Sequence, residues 1–181
     1  MSCRSIFYSG LLVIFTCSSC GHKETSTMKP TGENRIVQKN DGSVSLILDK
    51  ASRYCDVVNP SNNTADWNVV ISNPGRFKVW LSSATVDTSN LKYANTVRIS
   101  LLDNHLEVNP LCDRIIKNSD EVHYPYFRAD SYIGSIFVSE PGEYNIQLIS
   151  EKVVTNDSDS KNVSSTGDTR LMSLLLMPEA K

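Results

Sequence analysis

The densest group of chemically capable side chains in this 181-residue chain is Glu121-Val122-His123-Tyr124-Pro125-Tyr126-Phe127-Arg128-Ala129-Asp130-Ser131-Tyr132. Ring faces, a planar guanidinium, an imidazole and two carboxylates fall within one short stretch. Tyrosine is stiff and amphipathic, which suits a surface with one dry and one wet side. The chemistry implied is recognition, and His123, Tyr124, Tyr126, Arg128, Asp130 and Tyr132 are the candidate ligand contacts. Trp80 joins them, because Phe77, Val79 and Leu81 take the opposite face of its segment. Its ring either stands on an open surface or is covered by edge loops. The plainer alternative for the cluster is a long connection whose rings pack over the end of the domain while Arg128 and Asp130 pair locally. Trp67 leads another apolar segment and is expected in the core. Catalytic signatures such as Gly-x-Ser-x-Gly, His-Glu-x-x-His or a Walker loop do not occur. The acids are scattered, with nothing to single out a pair. The chain therefore reads as a non-enzyme, with no cofactor and no metal site.

The elements that must position these residues are strands. Val44, Leu46 and Leu48 alternate with polar or second-face residues, as do Val69 and Ile71, and Phe77, Val79 and Leu81. The same period of two recurs at Val97, Ile99 and Leu101 and at Tyr144, Ile146 and Leu148, and it places one face of each segment on a core. Turn chemistry separates them at Asn40-Asp41-Gly42, Asn73-Pro74-Gly75, Asp103-Asn104 and Glu140-Pro141-Gly142. In the two Pro-Gly turns, Pro presets the first central residue and Gly supplies a positive φ, so type II turns are expected there. Closely spaced short strands predict an all-β sandwich. Residues 152–170, rich in Ser, Asp and Asn, read as a long polar loop before a last strand from Leu171 to Met177. Its Asp-Ser pairs do not match a calcium-binding EF-hand loop.

The N-terminus has its own logic. Arg4, an apolar run from Ile6 to Phe15 and small residues at Ser18-Ser19 form the three parts of a secretory signal. The run is too short to span a bilayer, which takes roughly 20 apolar residues. With Cys20 directly after Ser19, the segment resembles a bacterial lipoprotein signal. That resemblance implies that Cys20 is acylated, palmitate included, and becomes the mature N-terminus. An ordinary signal peptide with cysteines near its end is the alternative. Gly21 to Arg35 is polar and lacks apolar periodicity, as a tether would be. His22 beside Gly21 resembles lipoproteins sent to the outer membrane of the bacterial cell envelope. The expected layout is a signal over 1–19, a flexible tether over 20–35 and one domain over 36–181. That domain, roughly 145 residues, can bury about two-thirds of its unfolded surface.

Charge and cysteines narrow the partners. The formal net charge is −2, and no Lys/Arg-rich stripe appears, which argues against nucleic acid. Of the five cysteines, Cys3 and Cys17 leave with the signal and Cys20 takes lipid. Cys55 and Cys112 remain. In an oxidising envelope they either form a disulfide or persist as separate buried thiols.

Two stretches carry a further resemblance. Ala65-Asp66-Trp67-Asn68-Val69-Val70-Ile71 runs through Asn73-Pro74-Gly75 into Phe77-Lys78-Val79-Trp80-Leu81. Later, Gly134-Ser135-Ile136-Phe137-Val138 and Pro141-Gly142-Glu143-Tyr144 lead to Leu171 through Pro178. The chain resembles the galactose-binding-like jelly rolls, including carbohydrate-binding modules appended to glycoside hydrolases and sulfatases. Ser43 to Ser52 sits where those modules place their opening strand. The resemblance implies a β-sandwich that binds sugars by stacking C–H faces on aromatic rings and hydrogen-bonding their hydroxyls. Such modules often hold a structural calcium with acids on the opening and closing strands. Asp49 could supply the first, but Met172 stands at the second, so no calcium is expected. The expected function is a lipid-anchored envelope module that binds carbohydrate. The alternative is a structural or protein-interaction lipoprotein docking a neighbouring envelope protein.

Overall fold

A computed structural model describes residues 35–154 and 169–179. The signal, the tether to residue 34 (Cys20 included) and most of the polar loop lie outside them. Eleven strands occur among the described residues: β1 (Arg35–Val37), β2 (Val44–Ile47), β3 (Ser52–Tyr54), β4 (Thr64–Ile71), β5 (Gly75–Thr85), β6 (Val97–Leu101), β7 (Asn104–Val108), β8 (Arg114–Ile116), β9 (Phe127–Val138), β10 (Gly142–Ile149) and β11 (Thr169–Pro178). They form two sheets, ordered β1-β4-β10-β6-β7, with β3 also on β4, and β2-β11-β5-β9-β8. Every pairing is antiparallel except β1 with β4. This is the expected all-β sandwich.

The period-two pattern explains the core. Along β4 burial alternates without a break, placing Ala65, Trp67, Val69 and Ile71 inside. Val44 and Leu46, Phe77 and Val79, Ile99 and Leu101, and Ile146 and Leu148 come inward from the other strands. Each fully buried aliphatic chain of this size contributes about 1.5–3 kcal/mol. Trp67 is 1% exposed, and its indole Nε1–H donates to the Ile47 carbonyl at 2.9 Å, which ties the two sheets together. Gln38, just after β1, is a second fastening. Its Nε2 donates to the carbonyls of Gly42 (2.8 Å) and Asn73 (3.2 Å), while its Oε1 accepts from the N–H groups of Ser72 (2.9 Å) and Asn73 (2.7 Å).

Several expectations are corrected. The stretch from Ser43 to Ser52 is not one strand: β2 ends at Ile47, a 3-10 turn over Leu48–Lys50 follows, and β3 joins the other sheet. Neither Pro-Gly turn is type II. Gly75 has φ +154°, far from the roughly +80° such a turn needs, and Gly142 has no positive φ. Both glycines open strands instead, Gly75 opposite Val138 and Gly142 opposite Ile71. Arg35, assigned to the tether, belongs to β1, and Thr169 and Arg170, assigned to the loop, belong to β11. The stretch from Glu121 to Tyr132 is only half connection, because β9 begins at Phe127.

Cys55 and Cys112 are not joined; both thiols are free. Cys55 follows β3 beside β4, where its Sγ lies 3.7 Å from the Val153 carbonyl. Cys112 precedes β8, at the far end of the second sheet. β1 lies against β2 and β7 against β9, so the two cysteines sit at opposite edges of the sandwich. Burial pushes both thiols above their ordinary pKa, with Asp113 and Asp130 adding to the shift at Cys112.

Candidate functional site

The outward face of the β2-β11-β5-β9-β8 sheet gathers most of the singled-out residues, and a bulge determines how. Val79 pairs with Gly134 but Trp80 pairs with Tyr132, so Ile133 is an extra residue on β9. A bulge of this kind re-aims side chains. Here Val79 and Ile133 point inward, and Trp80 and Tyr132 come out side by side. Their ring centroids are 5.2 Å apart with the planes inclined at 54°.

Trp80 is not an open platform. It is half-buried, and the Arg114 guanidinium lies over its ring at 4.3 Å. The open ring is Tyr132, 41% exposed. Its backbone N–H donates to the Asp113 carboxylate at 2.7 Å. Its hydroxyl meets Ser135 Oγ at 3.0 Å, and that hydroxyl in turn donates to Glu179 at 2.9 Å. Tyr132 is thus a fixed, accessible ring beside Trp80, over which the Arg114 guanidinium lies.

Beneath them lies an ion network. Asp130 is fully buried, opposite Ser82 on β5 and Arg114 on β8. Its Oδ2 takes Arg114 Nη2 at 2.7 Å, and its Oδ1 takes Arg128 Nε at 2.9 Å and the Ser82 hydroxyl at 2.8 Å. Arg128 Nη1 continues to Glu121 at 2.7 Å. Burial pushes the Asp130 carboxyl up, but the hydrogen bonds from Arg128, Ser82 and Arg114 outweigh it and hold it below the ordinary carboxylate range. Arg128 and Asp130 therefore pair locally, as the plainer reading of the cluster has it, and Asp130 lies enclosed beneath the face. Tyr126 lies farther along, under the Arg170 guanidinium at 4.9 Å, with its hydroxyl accepting from Arg170 Nη2 at 3.1 Å. His123 and Tyr124 stand in solvent on the β8–β9 connection, Tyr124 94% exposed.

Past this row opens a cleft of about 470 Å³, lined by Ile47, Ala84, Glu121, Arg170, Met172 and Ser173 among others. Arg114, Ser82 and Arg170 were not singled out from the sequence. Arg114 sits on a three-residue strand too short to show an alternation. Asp49, the possible calcium ligand, is ion-paired to Arg53 at 2.7 Å, and Met172 is the residue at the β11 register shift. Among the described residues, no group of three or more His, Cys, Asp or Glu side chains could hold a metal ion.

No family model and no curated protein matches the sequence. Solved structures do match its fold. An α-L-fucosidase from Vibrio sp. strain EJY3 is 21% identical with a TM-score of 0.62, over 81% of this chain and 24% of that one. A GH26-CBM35 β-(1,4)-mannanase from Podospora anserina is 10% identical with a TM-score of 0.45, over 78% and 28%. The mosquito-larvicidal Cry4Aa toxin from Bacillus thuringiensis is 9% identical with a TM-score of 0.49, over 82% and 25%. The chain thus spans about a quarter of the length of each of these structures. The likeness to the fucosidase shows a shared β-sandwich fold.

Proposed function

We propose that the domain is a non-catalytic carbohydrate-binding module, held at the bacterial outer membrane through a lipid on Cys20. The supporting observation is the Tyr132 ring, exposed yet fixed at its backbone and its hydroxyl, beside the half-exposed Arg114 guanidinium. A sugar laid on that ring presents its hydroxyls to Arg114, whose side chain is 42% exposed. The fucosidase, a carbohydrate-active enzyme of which the matched region is about a quarter, is consistent with a module of this kind. The nearby carboxylates are engaged: Asp130 holds two guanidiniums and Glu121 one. That arrangement favours binding over acid–base chemistry. Each hydrogen bond to a sugar nets only about 0.5–1.5 kcal/mol after exchange with water. Micromolar to millimolar affinity is therefore expected.

The test is a glycan array with the soluble chain from Gly21, followed by calorimetry on whatever binds. Tyr132→Ala is expected to weaken binding at least tenfold while stability changes by less than about 1 kcal/mol, as for an exposed position. An array without signal, or a Tyr132→Ala protein that binds like the wild type, removes this reading.

A further inference from the structure

We infer that the ligand is an extended, uncharged oligosaccharide of at least three linked rings, running from Tyr132 into the 470 Å³ cleft. The inference rests on the carbohydrate-binding reading and adds the length and charge of the ligand to it.

The geometry comes from the register. Trp80, Ser82 and Ala84 follow one another on the outward side of β5, opposite Tyr132, Asp130 and Arg128. Trp80 marks the stacked end, and Ala84 lines the cleft. Four residues of strand separate them by about 13 Å. One pyranose cannot bridge that span, and three linked ones can. The ground between is polar: Ser82 and Asp130 are buried, and the partly exposed side chains of Arg114 and Arg128, which bond to them, lead to Glu121, which both pairs with Arg128 and lines the cleft. Ser173, opposite Ser82 on β11, lines it as well.

The cleft suits a sugar ring. Ile47, Ala84 and Met172 supply apolar surface for a C–H face, and Glu121 and Arg170 supply an acceptor and a donor at the rim. Arg170 is stacked on Tyr126, which fixes its guanidinium in place. The charges argue for a neutral chain. Along the path, Arg114 and Arg128 are matched by Asp130 and Glu121, each within 2.9 Å of its partner. The cleft lining adds Arg170 and Lys152, which lie over the Tyr126 and Tyr93 rings, but it also carries Asp49, Glu121 and Glu151, so among the described residues it offers a uronate or a sulfate no excess of positive charge.

The experiment uses calorimetry with ladders of one to six sugars from neutral gluco-, manno- and xylo-oligosaccharides, and a galacturonate ladder as the anionic arm. On a ladder that binds, affinity is expected to rise at least tenfold between one ring and three and then level off, with little change on raising the salt. Ala84→Leu, which narrows the cleft, is expected to bring three-ring affinity down to that of one ring and leave one-ring binding unchanged. Ile47→Trp, at a residue 42% exposed, does the same from the other wall and covers the case in which Ala84→Leu fails to fold. Tyr132→Ala weakens every length. Length-independent binding that still needs Tyr132 overturns the extended site and leaves the module reading standing. A preference for galacturonate overturns the neutrality. No binding on any ladder, together with a blank array, overturns both readings.

Discussion

Asp130 is a fully buried carboxylate shared between two guanidiniums, and its removal costs each of them an ion pair, with Arg128 keeping Glu121 at 2.7 Å. Breaking a fully buried ion pair costs about 3–5 kcal/mol. Arg114 is 42% exposed and can recover hydration, so Asp130→Asn is expected to cost less, about 2–3 kcal/mol in urea denaturation. Its folded pKa lies below 3.8, so the unfolded chain binds the proton first. The contribution is thus complete above the unfolded value and disappears as pH falls through the folded one. Asp66, on the outward side of β4, has the opposite sign. Burial raises its pKa, and a hydrogen bond with Asn145 only partly offsets this. Its contribution is present at low pH and lost as pH rises through the folded value. Asp66→Asn is therefore expected to raise the urea midpoint at pH 7, with the difference vanishing in acid. A lowered midpoint at pH 7 would falsify the desolvation argument. The Arg128–Asp130 pair was open to sequence reasoning because the two stand on one face two residues apart. Arg114 was not, since strand pairing alone brings it to Asp130.

At the scale of the strand, the feature that makes the face is the bulge at Ile133. Gly134 follows it with φ +140°, where other residues are strained, and a Cβ there would stand 3.1 Å from Leu106 of β7. Gly134→Ala is expected to cost about 1–3 kcal/mol. It should also disturb the Trp80–Tyr132 stack, which near-ultraviolet circular dichroism reads as a changed aromatic signal. An unchanged spectrum and midpoint would mean that the bulge tolerates a side chain. The long strands were legible because β4 buries every second residue along its whole length, β5 does so from Phe77 to Leu81, and β10 alternates through Ile146 and Leu148. β1, β3 and β8 have three residues each, which is less than two periods, so no alternation could declare them. The bulge itself left no mark beyond Ile133-Gly134, since an extra residue is defined only against the partner strand.

For the whole molecule, the proposed attachment has a direct test. Cys20→Ala is expected to move the protein from the detergent phase of a membrane partition to the aqueous phase, whereas Cys17→Ala leaves it anchored. Loss of acylation on Cys17→Ala alone would transfer the lipid to that residue. The sandwich was readable because a wetted face and a dry interior impose the same period on β4, on β10 and on the first half of β5. The arrangement of the sheets was not, because the β2-to-β3 crossover happens inside one apolar stretch, at a 3-10 turn that Asp49 and Lys50 do not distinguish from a strand.

Gln38 takes on a mechanical meaning once the chain is thought of as something that can be pulled. Tension entering from the N-terminal side reaches β1 first, and β1 holds on to β4 through a short parallel ladder ending at Val37 opposite Val70. The next residue is Gln38, whose one amide grips the β1–β2 and β4–β5 turns at four points. Load that strips β1 therefore meets a buckle before it reaches β2 and the closing strand β11. In an optical trap with handles at residue 35 and the C-terminus, Gln38→Ala is expected to lower the rupture force while Arg35→Ala leaves it alone. Equal forces for the two would place the yield point elsewhere in the sandwich. A protein held by one end in flowing or crowded surroundings would then have its mechanical endurance set by a single amide side chain.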